Sequence, residues 1–63
     1  MQPHQERVVA EHAELKDKTD KLAAFFKSPI FAGLDQDEKT RLELQFVCMT
    51  AYLAILQSRI EDF

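Results

Sequence analysis

The sequence predicts an all-α protein, an antiparallel two-helix hairpin that assembles into a homo-oligomeric helical bundle. Three observations predict it. Leu42, Phe46, Met49, Leu53, Leu56, Ile60 and Phe63 follow one another at alternating steps of four and three, an uninterrupted heptad stripe that forms one seam on a helix. Upstream, Val8, Leu15 and Leu22 recur every seven residues, with His12, Thr19 and Phe26 between them. Separating the two stripes, Ser28-Pro29-Ile30-Phe31-Ala32-Gly33-Leu34 breaks the helical pattern.

The first helix is expected over about residues 3–27. Pro3 suits a first turn, where its missing N–H costs nothing. Glu14 with Lys18 and Asp17 with Lys21 have the i,i+4 spacing of outer-face ion pairs. Glu6 near the start and Lys27 near the end suit the helix dipole. The turn is expected over residues 28–35. Pro29 cannot continue the first helix and pushes Ser28 out of helical geometry. Gly33, the only glycine, offers a positive φ if the turn requires one. Ile30, Phe31 and Leu34 are apolar, so this connection should fold back as a plug over the end of the helix pair.

The second helix is expected over about residues 36–61. Asp35 and Glu38 form a capping-box-like pair behind the staple residue Leu34, with Asp35–Lys39 and Asp37–Arg41 as supporting pairs. A short connection makes the helices antiparallel neighbours, and residue numbers matched across it should add to about 62. Leu22 then meets Leu42, Leu15 meets Phe46 and Met49, and Val8 meets Leu53 and Leu56.

Composition narrows the class. The chain has 63 residues, 46% of them hydrophobic, which excludes a disordered segment and allows one domain at most. The net charge of -3, with acids and bases interspersed, argues against a DNA-binding surface. The start Met1-Gln2-Pro3-His4-Gln5-Glu6 lacks the basic and apolar regions of a secretory leader. The longest uncharged run, Leu44 to Gln57, is shorter than the ~20 apolar residues of a membrane span. A cytoplasmic protein without a membrane partner is expected. Cys48 is the single cysteine, so no intrachain disulfide can staple so small a core.

Self-association is the remaining route to stability. Helix 1 can cover only the seam, whereas Leu44, Val47, Cys48, Ala51 and Ile55 lie on the outer side of helix 2. Leu44, Cys48, Ala51 and Ile55 form a second stripe with small residues at its centre, suited to close helix approach. An apolar strip of that extent marks an interface. These five residues are therefore assigned to an oligomer interface, as a four-helix bundle or a larger symmetric ring.

Candidate chemistry is sparse. Gln45, Tyr52 and Arg59, seven apart, line one stripe beside the seam. An amide, a phenol and a guanidinium suit an anionic or aromatic ligand, because Arg forks onto phosphate and Tyr stacks on a base. The plainer reading is an interface edge, with Tyr52 packing and Arg59 paired to Glu61, Asp62 or a neighbouring subunit. Arg7 and Lys18 offer a local phosphate contact beside a neighbouring subunit, although Glu11, Glu14, Asp17 and Asp20 interleave with the helix 1 cations. His12 on the inner stripe reads as a half-buried histidine or a pH-sensitive interface residue. His4, His12, Glu11 and Glu14 fall short of a metal-site spacing. Cys48, between Val47 and Met49, lacks the basic surroundings of a reactive thiolate. No nucleophile–base pair or phosphate-cradling glycine loop is present. The expectation is a non-enzymatic protein with no catalytic residue, metal or cofactor.

Several residues together carry a family resemblance. They are Glu6-Arg7-Val8-Val9, Glu14-Leu15 with Lys18, Lys21-Leu22, Ser28-Pro29-Ile30-Phe31, Leu34 with Glu38, and Tyr52 with Leu56 and Arg59-Ile60. This combination resembles a family of small helical-hairpin proteins of tailed phages and prophages, named after a protein of crAss-like phages. The hairpin architecture is also similar to phage sponges that sequester immune signals in anti-CBASS and anti-Thoeris defence. These resemblances imply a phage-encoded homo-oligomer in the host cytoplasm that traps a cyclic nucleotide or cyclic ADP-ribose isomer at subunit junctions. The alternative is an interaction module that binds a host or phage protein through helix 2 without a small ligand.

Overall fold

The computed structural model describes all 63 residues, which form three helices and no strands. Helix α1 spans Pro3–Phe25, α2 spans Pro29–Ala32 and α3 spans Gln36–Glu61. The molecule is a rod of 45 × 15 × 14 Å, with α1 and α3 packed along their length.

Helix α1 begins at Pro3, and the Gln5 side-chain carbonyl accepts the Gln2 N–H at 2.9 Å, satisfying one donor before the first turn. It ends at Phe25, so Lys27 lies beyond the last turn instead of within it. The cause is Pro29. Ser28 turns to extended backbone (φ -85°, ψ 154°), and its Oγ accepts the Phe31 N–H at 3.2 Å. Pro29 thus starts a new short helix as well as ending the old one. Gly33 stays at φ -85°, so the turn needs no left-handed residue.

At α3, Asp35 Oδ1 accepts the Glu38 N–H at 2.8 Å, which is half of a capping box. The Glu38 carboxylate does not reach back; it pairs with Arg41 at 3.0 Å. Arg41 therefore does not pair with Asp37, and Lys39 lies over the Phe31 ring at 5.7 Å instead of pairing with Asp35. On α1, Asp17–Lys21 forms at 2.9 Å, but Lys18 leaves Glu14 unpaired. Lys16–Asp20, also at 2.9 Å, is the second ion pair of that helix.

The seam holds the residues with the expected spacing. On α1 the shielded positions include Gln5, Val8, His12, Leu15, Thr19 and Leu22; on α3 they include Leu42, Phe46, Met49, Leu53, Leu56 and Ile60. Leu56 is fully buried, Val8 nearly so, and Thr19 is buried with its hydroxyl donating to the Leu15 carbonyl at 2.7 Å. Phe63 departs from the stripe: it follows the last helical residue and is 45% exposed.

At the turn, Phe31 meets Phe25 and Phe26 edge-on at 6.1 and 5.0 Å, and Phe26 meets Phe46 at 5.4 Å. This is the expected plug, although Ile30 stands out in solvent. The contact also corrects the register. Phe26 was expected level with Gln36 and instead packs on Phe46. The two helices are therefore offset from the expected register. α3 overhangs α1, and α2 fills the overhang.

Candidate functional site

At about 3.6 residues per turn, the flanks of each helix separate cleanly. One flank of the hairpin carries a groove of about 480 Å³, lined by His12, Lys16, Thr19, Asp20, Phe46 and Thr50 with four neighbours from the same two helices. Ala23, Thr50 and Ala54 are the reason for the hollow, since small side chains beside a seam of larger ones leave it unfilled. None of the expected ligand residues lies there. The signal available in the sequence was this run of small residues on one edge of the seam.

Gln45, Tyr52 and Arg59 fall on the other side of the α3 seam from Thr50, Ala54 and Gln57. Arg7 and Lys18 likewise fall on the other side of α1 from Lys16, Asp20 and Ala23. Since the groove joins one flank of each helix, the remaining flanks share the opposite face. The structure thus brings Arg7, Lys18, Gln45, Tyr52 and Arg59 to one face of the hairpin, all exposed, with Tyr52 43% accessible. Glu11 and Glu14 sit on that face too, so its field is mixed and any anion must be held by local contacts.

The ion pairs sort the cations. Of eight basic side chains, Lys16, Lys21 and Arg41 have carboxylate partners. Arg7, Lys18 and Arg59 have none within 4.0 Å. Arg59 does not pair with Glu61, whose carboxylate accepts from Gln57 at 3.1 Å, nor with Asp62. Gln45 makes only a long contact from its Nε2 to Met49 Sδ, at 3.8 Å. The groove presents the contrary arrangement, because its one cation, Lys16, is neutralised by Asp20.

Beside this face runs the outer side of α3. Leu44 and Val47 are both 61% exposed and Ile55 is 58% exposed, with Cys48 and Ala51 open between them. Helix α1 covers none of this strip. His12 is half-buried at the rim of the groove, and no three His, Cys, Asp or Glu side chains gather as a metal-binding group. No helix is long and apolar enough to cross a membrane.

Fold and surface together define a class: a minimal helical hairpin with one bare apolar helix face, bordered by unpaired cations and a tyrosine. The family model that matches the chain is Sequestin, over residues 2–62. The chain belongs to the Sequestin family. No curated protein and no solved structure matches it.

Proposed function

We propose that this chain is a non-enzymatic sequestering protein, phage-encoded and active in the host cytoplasm. As a homo-oligomer it holds a cyclic nucleotide or a cyclic ADP-ribose-type immune signal at its subunit junctions, and so blunts host defence. The observation that carries this reading is the separation of the cations. Arg7, Lys18 and Arg59, three of the five without a carboxylate partner, share one face with Tyr52 beside an uncovered apolar strip. A guanidinium forks onto phosphate oxygens and a phenol ring offers a stacking surface for a base. The family name itself speaks of sequestration. The groups on the face are binders, and none is coupled to a base that would activate it, so the ligand leaves unchanged. The strip of Leu44, Val47, Cys48, Ala51 and Ile55 supplies the self-interface.

Native mass spectrometry of the purified protein with a panel of cyclic nucleotides and cyclic ADP-ribose isomers tests this. The expected result is a discrete oligomer that gains ligand mass in a fixed ratio, with ligand recovered intact by chromatography. Arg59→Ala should abolish the gain. An oligomer that stays bare across the panel would put an interaction module for a host or phage protein in its place.

A further inference from the structure

We infer that the groove between α1 and α3 is a second binding site, for an uncharged aromatic ring that donates an N–H hydrogen bond into it. The groove lies on the face opposite Arg7, Lys18, Tyr52 and Arg59. The inference is therefore independent of the sequestration reading, and either can fail alone.

The α1 stripe reads Val8, His12, Leu15, Thr19, Leu22 and Phe26. Its two polar members, His12 and Thr19, are the ones that line the groove; the apolar members do not. Only three residues of the whole chain are buried, and Thr19 is one of them, at 5% exposed. Packing alone favours valine at such a position, because it has nearly the same shape and no hydroxyl to take out of water. The Thr19 hydroxyl spends its one proton on the Leu15 carbonyl at 2.7 Å and accepts no hydrogen bond within the chain. A hydroxyl oxygen carries two acceptor lone pairs, so this one is a buried acceptor at the groove. Thr50, on the facing helix, is set the same way, donating to the Val47 carbonyl at 2.9 Å. Both threonines are left as acceptors, so the complementary ligand group is a donor.

Shape calls for a ring. Phe46, Leu53, Ala23 and Ala54 supply the apolar surface of the groove. Phe26 meets Phe46 edge-on at 5.4 Å, which fixes the Phe46 ring beside the hollow. A flat ring system gains most from such a surface, by contact with the Phe46 ring and by close approach over the alanines. The volume of about 480 Å³ falls within the ~300–1,000 Å³ of small-molecule sites.

Charge decides what the ring carries. Lys16 and Asp20 are the charged pair of the groove, and they are joined to each other at 2.9 Å. Neither is free to neutralise a charged ligand. An anion or cation set against Phe46 and Leu53 would lose hydration without gaining a partner. The neutral donor that suits both the apolar surface and the threonines is an N–H on an aromatic ring, as in an indole. This separates the groove's ligand from the phosphate-bearing one proposed for the opposite face.

Indole, N-methylindole and an indole carboxylate are the probes. Each is titrated into the intact protein, and the methyl NMR signals of Thr19, Ala23, Thr50 and Ala54 are followed against those of Leu44, Val47 and Ile55. Indole should shift the first set in a saturable manner and leave the second in place. N-methylindole, which has the ring without the donor, should bind roughly three- to tenfold more weakly. The carboxylate should also bind more weakly than indole. Thr19→Val removes the acceptor and keeps the groove's outline, so it should erase the preference for indole over N-methylindole. Ala54→Leu fills the hollow from an exposed position, which spares the fold, and should abolish binding of all three probes. Helical circular dichroism checks that both variants fold. The inference is overturned by any of four results in the unaltered protein: no saturable shift, shifts centred on Leu44, Val47 and Ile55, equal affinity for the two neutral probes, or tighter binding of the carboxylate. A preference that survives Thr19→Val overturns it as well. Retention of cyclic nucleotides is read separately, and Arg59→Ala should leave indole binding unchanged.

Discussion

Leu56→Ala is the sharpest probe of how this small protein stays folded. Leu56 is the only side chain with no solvent exposure, in the α3 seam that packs on α1. Truncation removes three carbon groups, each contributing ~0.8 kcal/mol on burial, so the transfer loss alone is about 2.4 kcal/mol. The cavity adds to this, and the total for such changes spans ~2–5 kcal/mol. At ~0.05–0.15 kcal/mol per residue, a chain of this length has roughly 3–9 kcal/mol of stability in all. The substitution therefore removes between a quarter and the whole of it. At ~4–8 °C per kcal/mol for a small domain, Tm should fall by more than about 10 °C. Urea unfolding followed by helical circular dichroism measures the loss, with Leu44→Ala as the control. Leu44 is 61% exposed, so at concentrations low enough to keep single chains its truncation should cost less than about 1 kcal/mol. A loss below ~1 kcal/mol for Leu56→Ala, or an equal loss for the two, would refute the seam as the source of stability.

Four further outcomes follow from the same structure. Asp35→Ala should destabilise α3 by about 1 kcal/mol in thermal unfolding, and Asp35→Asn by less, because only the alanine removes the acceptor for the Glu38 N–H. Phe31→Ala should cost roughly 2–3 kcal/mol and loosen near-ultraviolet dichroism, since its ring meets both Phe25 and Phe26 at the overhang. Gly33→Ala should hold or raise Tm, by up to ~1 kcal/mol of stability, because φ is -85° and an added Cβ would meet only Ile30 and Pro29 carbonyls at 3.6 and 3.7 Å. Asp20→Asn should change stability by under about 0.5 kcal/mol, because the Lys16–Asp20 pair is solvent-exposed; a larger effect in urea unfolding would contradict that view.

Most of the architecture was legible in the amino acids. The alternation of four and three from Leu42 to Ile60 can only face one direction on a helix, and Pro29 can only end the helix before it. Asp35 announced its cap because a side-chain acceptor is needed where helical N–H groups lack partners. The bare strip from Leu44 to Ile55 was readable as well, since one neighbouring helix covers one seam and no more. Other features were set by the packed pair. The stagger of α1 against α3, the seating of Phe31 between Phe25 and Phe26, and the release of Phe63 from the seam depend on ring shapes meeting in three dimensions. Ion pairing behaved the same way: Glu38 chose Arg41 over a second capping bond, and Lys39 chose the Phe31 face, among options of nearly equal spacing and small energy. Spacing names the candidates on a helix. Only the fold reveals that Arg7, Lys18 and Arg59 share a face and keep their charges free, because that depends on which flanks of two helices the turn brings together.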